Sequence, residues 1–159
     1  MFKVGDLAVY PAQGVCIIEA IEAQDVMGMK HEVYVLRIVD TDMRIMVPLG
    51  NVDQVGLRVP TDQADIDRVF AVLEDRQPQQ KMASWSRRQR VYNEKIKTGA
   101  LNEVAEVMRE LCEIRIGKDL SYGEKKVLEL TERLLVKEVA AVKNIGEDQV
   151  RQRLDRIFH

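Results

Sequence analysis

At Pro60 the period of the apolar pattern changes from two to three or four, and this constrains the fold of the 159-residue chain more than any other feature. A strand buries every second residue and a helix every third or fourth, so one element cannot satisfy both patterns. The chain is therefore expected to be an α+β protein of two domains, a small SH3/Tudor-like β-barrel over 1–58 and a compact bundle of about five α-helices over 59–159.

The first part is rich in Val, Ile and Tyr and is broken by turn signals at Gly5-Asp6, Pro11 with Gly14, Met27-Gly28, Asp40-Thr41-Asp42 and Gly50-Asn51, which suggests about five short strands. In the second part Thr61 or Asp62 can cap a helix whose Ile66, Val69, Phe70 and Leu73 form one stripe ending near Arg76. The polar segment Gln77-Pro78-Gln79-Gln80 reads as an exposed connection. Ser84 is placed to cap a helix from about Trp85 to Lys97 that stops at Thr98-Gly99. A third helix carries Leu101, Val104, Ala105, Met108, Leu111 and Cys112 and ends near Gly117. The fourth has Ser121 and Glu124 at capping-box spacing and should lie at the middle of the bundle; a short fifth begins around Glu147.

Charge is distributed unevenly. The whole chain carries a formal net charge of -2, but residues 1–80 carry -6, residues 81–97 carry +5 and residues 98–159 carry -1. Phosphate binding depends on local positive charge and counterion release, so the compact basic segment can meet a duplex although the rest is mildly acidic. Only Glu94 opposes Lys81, Arg87, Arg88, Arg90, Lys95 and Lys97 within that segment. A solvated face is the ordinary meaning of a charge run, yet such faces more often mix both signs.

Trp85, the one tryptophan, stands at the head of this segment. Tyr92 and Ile96 fall within about 20° of it around a helix, so all three can belong to a buried stripe. Alternatively, a ring in the first helical turn leans toward the N-terminus and can project past the helix end, with Arg87 and Arg90 on the opposite side and Arg88 nearer the ring. That second arrangement matches the apolar wedge with basic flanks of minor-groove binders. In the barrel, Met43, Ile45 and Val47 alternate with Arg44 and Met46, and Pro48 cannot donate to a ladder. This places Arg44, Met46, Val47 and Pro48 at a sheet edge suited to a protein partner, although Met46 could equally be covered by the helical part.

Catalytic chemistry finds little support. His31 is expected in a turn and His159 at the chain end, neither with a plausible partner, and no nucleophile elbow, P-loop or zinc-protease motif is present. Asp62, Asp65 and Asp67 read as first-turn acids that favour a helix N-terminus rather than a metal site, so no cofactor and no metal are expected. Cys16 and Cys112 sit in apolar patterns and are expected as buried thiols. No segment approaches the length of a membrane span and the start shows no signal-peptide pattern, so a cytoplasmic location is expected; the protein is also expected to act as a monomer.

Several motifs together resemble the CarD family of bacterial transcription regulators, also called CdnL: F-K-V-G-D-x-x-V-Y-P-x-x-G-V at 2–15, Y-V-L-R-I at 34–38, M-V-P at 46–48, V-G-L-R at 55–58, W-S-R-R at 85–88 and L-S-Y-G-E-K at 120–125. The resemblance covers essentially the whole chain. It implies a Tudor-like domain similar to the RNA polymerase interaction domain of transcription-repair coupling factors, docked on the polymerase β subunit, and a helical domain facing promoter DNA. It further implies that Trp85 wedges into the minor groove at the upstream edge of the melted bubble, that Arg87, Arg88, Arg90 and Lys125 contact the backbone, and that the open complex lives longer. Localisation would then be nucleoid-associated through polymerase. Some relatives carry arginine where this chain has Gln24 and Met46, which would make the polymerase contact more apolar here. Two other readings remain beside it: a protein-interaction module that never touches DNA, and an enzyme.

Overall fold

The computed structural model describes residues 2–76 and 83–158. The expected connection at Gln77-Pro78-Gln79-Gln80, as well as Lys81 and His159, lies outside the described residues. The chain divides between Pro60 and Thr61 into two compact units.

The first unit is one antiparallel sheet in the order β1-β2-β3-β4, with β1 Leu7–Tyr10, β2 Gly14–Val26, β3 Met29–Ile38 and β4 Arg44–Pro48. β2 and β3 turn at Met27 and Gly28, both at positive φ (53° and 79°), the pairing that a tight two-residue hairpin demands. The register slips by one residue between Ile18 and Ala20, a bulge that bends β2 and lets the sheet curl into a half-barrel. His31 pairs with Gln24 inside β3, not in a turn. One face buries Ala8, Cys16, Ile18, Tyr34, Leu36, Ile38 and Val47.

The described residues contain four strands, where about five were expected. The chain around Gly50-Asn51 forms a 3₁₀ turn (Leu49–Asn51) and the short helix α1 (Val52–Val55) instead, and beyond it only Arg58 reaches a strand, bridging to Val9. The run V-G-L-R is too short to extend that bridge, and Gly56 at φ 77° turns the chain at its start. The Arg58 bridge lies against β1, and among the described residues β4 has a sheet neighbour on one side only.

The second unit consists of α2 Gln63–Glu74, α3 Trp85–Thr98, α4 Leu101–Gly117, α5 Tyr122–Lys143 and α6 Glu147–Phe158. α4 packs against α2, α3 and α5, while α5 packs against α4, α6 and α2, so the centre is shared between two helices. Its core includes Ile66, Phe70, Tyr92, Met108, Leu111, Leu135, Val139 and Leu154. At α2 the N-cap is Asp62, but its side chain makes no cap hydrogen bond. Thr61 is occupied elsewhere: its N–H and hydroxyl both donate to the buried Glu138 carboxylate of α5, at 2.8 and 2.6 Å. A buried carboxylate left without donors would be costly, which explains why the threonine serves α5 rather than the cap. Cys16 and Cys112 are free and buried, and burial pushes each thiol up to about 11, which leaves little reactive thiolate. Among the described residues no helix is long and apolar enough to cross a membrane.

Candidate functional site

α3 begins because Ser84 stops it from extending backwards. The Ser84 hydroxyl accepts the Arg87 N–H at 3.5 Å and replaces one of the partners that a helix start lacks. Gly99 ends the same helix at φ 75°, a left-handed turn that favours glycine. α5 starts with a complete capping box: the Ser121 hydroxyl accepts the Glu124 N–H at 3.3 Å, and the Glu124 carboxylate accepts the Ser121 N–H at 2.9 Å.

These two helix starts meet at Trp85. The indole is half-buried and packs on the bundle core, with the Tyr92 ring 6.2 Å away at 57°. It lies against Gly123, the second residue of α5, so closely that a Cβ built there would stand 2.9 Å from Cζ2 and 3.2 Å from both Cε2 and Nε1. The guanidinium of Arg88 lies 5.2 Å from the ring centroid, within cation–π range. The stripe reading holds: Trp85 packs on the core together with the buried Tyr92 and Ile96, and Trp85 itself stays half-buried at the head of α3.

Arg88 is placed differently from the backbone-contacting role that the family resemblance implies. It is 8% exposed, and Nη1 donates to Glu124 Oε2 at 3.0 Å while Nε donates to the Ala83 carbonyl at 3.2 Å. Burial disfavours the charged guanidinium, but the contacts with Tyr92 and Glu124 prevail and raise its pKa further. Burial likewise pushes the Glu124 carboxyl up, and the Ser121 hydrogen bonds together with Arg88 overcome it, holding the group below its usual range. The Tyr92 hydroxyl is buried near Arg88 and Glu110, aligned with neither for a hydrogen bond; burial pushes it up to about 12. Little of the Arg88 guanidinium is therefore open to a phosphate from solvent.

The remaining cations separate clearly. Lys95 pairs with Glu106 at 2.9 Å. Arg87, Arg90 and Lys97 are exposed and, among the described residues, have no ion-pair partner; the same holds for Lys125 on α5. Tyr122, which was not among the expected site residues, is 77% exposed at the first position of α5 with the Lys126 ammonium 5.3 Å from its ring. An exposed aromatic residue beside a capping box and two lysines was the available signal. Asp65 pairs with Arg68 and Asp67 with Lys143.

On β4, Met46 is 53% exposed and its sulfur accepts from Gln24 Nε2 at 3.1 Å. Thus the two positions where relatives differ touch each other. Arg44 is exposed and pairs with Glu19, which also binds Arg37 at 2.7 Å. Pro48 is exposed at the strand end. Val47 is a correction to the expected set: it is 2% exposed in the core, because its alternation in β4 places it opposite Tyr34. Only its backbone can take part in docking.

A four-stranded antiparallel sheet ending in β4 and a helical bundle with Arg88 over the Trp85 ring define an α+β protein of two units. Residues 2–59 match the CarD-like/TRCF RID domain and residues 68–155 match the CarD C-terminal domain. Over 151 residues the chain is 32% identical to a Bacillus subtilis (strain 168) protein described as "Putative transcription factor YdeB", covering 95% of this chain and 98% of the relative. The Myxococcus xanthus structure "CdnLNt" is 51% identical over 37% of this chain and 83% of its own, with a TM-score of 0.33. The 72-residue N-terminal domain of Myxococcus xanthus CarD is 39% identical over 37% of this chain and 79% of its own, also at 0.33. The chain belongs to the CarD family of RNA polymerase-interacting transcription regulators.

Proposed function

We propose that this protein binds the RNA polymerase β subunit through the β4 edge and prolongs the life of the open promoter complex by setting Trp85 into the minor groove at the upstream end of the bubble. The observation that carries the reading is a half-buried indole packed against Gly123 and Arg88, with Arg87, Arg90 and Lys125 exposed and without an ion-pair partner among the described residues. Arg88 supports the ring in this reading, and the phosphate contacts fall to Arg87, Arg90 and Lys125. A group that binds the opened junction more tightly than closed duplex shifts the equilibrium toward opening with no chemical step. Binding as a monomer suffices, since both contacts come from one chain.

Site-directed crosslinking on a polymerase–promoter complex tests the reading directly: a probe replacing Ser86 should yield an adduct with promoter DNA. Adducts with polymerase alone would favour the protein-only module instead. Arg87→Ala, Arg90→Ala and Lys125→Ala should each flatten the logarithmic dependence of open-complex occupancy on salt by roughly 0.9 per lost phosphate contact. Trp85→Ala should leave that slope unchanged.

Docking through β4 makes a separate prediction. Met46→Glu places a charge in the middle of the edge, so polymerase should be lost from a pull-down by roughly tenfold or more, as expected when an interface anchor is replaced by an unpaired charge. The sheet itself should keep its thermal midpoint, because Met46 points away from Tyr34, Leu36 and Val47. Full retention of polymerase would exclude this edge.

A further inference from the structure

Gly123 poses a question that the helix itself does not answer. It sits in the first turn of α5 with an ordinary helical backbone, since it is not among the glycines at positive φ. Alanine there would favour the helix, and glycine is among the weakest helix formers. The neighbour that forbids a side chain is the indole of Trp85, whose Cζ2 would stand 2.9 Å from a Cβ. Real Cβ atoms essentially never come so near, so a methyl group would force the ring to move.

The ring is held from other directions as well. The Arg88 guanidinium lies over it, and that guanidinium is held through two of its nitrogens, Nε by the Ala83 carbonyl and Nη1 by Glu124. Glu124 is fixed in turn by the Ser121 N–H. Ser121, Glu124, Arg88 and Trp85 therefore form one unbroken series of contacts that joins the start of α3 to the start of α5. A tryptophan needed only for packing would explain its burial, but neither the missing side chain beneath it nor a buried ion pair beside it.

We propose that Gly123 and the Arg88–Glu124 ion pair are positioning residues that fix the orientation of the Trp85 indole before DNA arrives, so that the ring enters the junction without first being ordered. This rests on the reading that Trp85 enters DNA. Freezing the ring in the free protein removes an ordering cost that binding would otherwise carry.

Trp85 is the only tryptophan, so intrinsic emission excited at the indole reports on this ring alone. Gly123→Ala should raise acrylamide quenching and lower emission anisotropy in the free protein with unchanged helical circular dichroism. It should also shorten open-complex lifetime roughly two- to tenfold, the range that ordering one freed side chain implies. Arg88→Lys keeps a charge for Glu124 but lacks the planar fork that lies on a ring, and should loosen the emission in the same direction. Gly146→Ala serves as the control, because a Cβ there meets nothing within 4 Å; it should change neither readout.

Unchanged quenching and anisotropy in Gly123→Ala would overturn the proposal. So would loss of its helical signal, which would show that the glycine serves the helix rather than the ring. Looser emission with an unaltered open-complex lifetime would leave the support of the ring standing and overturn the DNA reading instead.

Discussion

Replacing Trp85 with alanine is expected to shorten the open-complex lifetime by roughly five- to 150-fold. Stacking of an aromatic side chain on a base is worth about 1–3 kcal/mol, and each 1.4 kcal/mol is tenfold in a rate or equilibrium. The ring is lost from the open state only, so its contribution falls on the closing step. In the proposed reading polymerase docks on the other unit of the chain, so recruitment should survive. That separates the wedge from a general binding defect: after a competitor challenge, more protein does not restore the lifetime. Part of the ring packs on the core beside Tyr92, so the substitution also lowers the stability of the helical unit. The loss should be smaller than the roughly 3–5 kcal/mol of a fully buried tryptophan. Lifetimes are therefore compared where circular dichroism shows the variant still folded. A folded variant with an unaltered lifetime would reduce Trp85 to a packing residue.

Much of the helical unit was legible because its signals are local. Ser84, Gly99, Ser121 with Glu124, and Glu147 each mark an end through hydrogen bonds or backbone angles within a few residues, and each lies where an end is found. Thr61 shows the limit. As a capping residue it was a reasonable choice, but Glu138, seventy-seven positions away, captured its donors. Arg88 was expected nearer the ring and lies over it, but its buried partner was hidden for a similar reason. A helical wheel sets it about 60° from Trp85 and nearer still to Tyr92, on the margin of the apolar stripe. Margin positions can face either way, and the deciding partner, Glu124, lies on another helix. Gly123 was silent in the sequence, where it reads as one weak helix former inside a well-capped helix. Its meaning comes from how closely α3 and α5 approach, which no spacing within either segment encodes. In the sheet, alternation placed Val47 and Met46 on opposite faces correctly, but backbone docking and side-chain docking at an edge cannot be told apart by alternation alone.

Arg88→Met should destabilise the helical unit by about 3–5 kcal/mol at neutral pH, the usual cost of removing one partner from a buried ion pair. The pair is buried at both ends, with side chains 9% and 4% exposed and 3.0 Å between the charged atoms. Without Arg88, Glu124 Oε2 loses its donor while Oε1 still accepts the Ser121 N–H. The dependence on pH identifies the cause. In the native protein the Glu124 carboxyl lies below its usual range, so its contribution to stability is present at neutral pH and is lost as pH falls through that lowered value. In Arg88→Met the guanidinium that helped lower it is gone, and burial pushes the carboxyl upward. Protonation then relieves the buried charge, so the difference in stability between the two proteins should shrink on acidification toward about pH 4. Adding Glu124→Gln removes the remaining charge while a Gln oxygen can still accept the Ser121 N–H, so the double variant should recover most of the loss. Denaturant midpoints at neutral and acidic pH for the three proteins measure all of this. A loss that is independent of pH and persists in the double variant would mean that Arg88 acts through packing against Trp85 rather than through its charge.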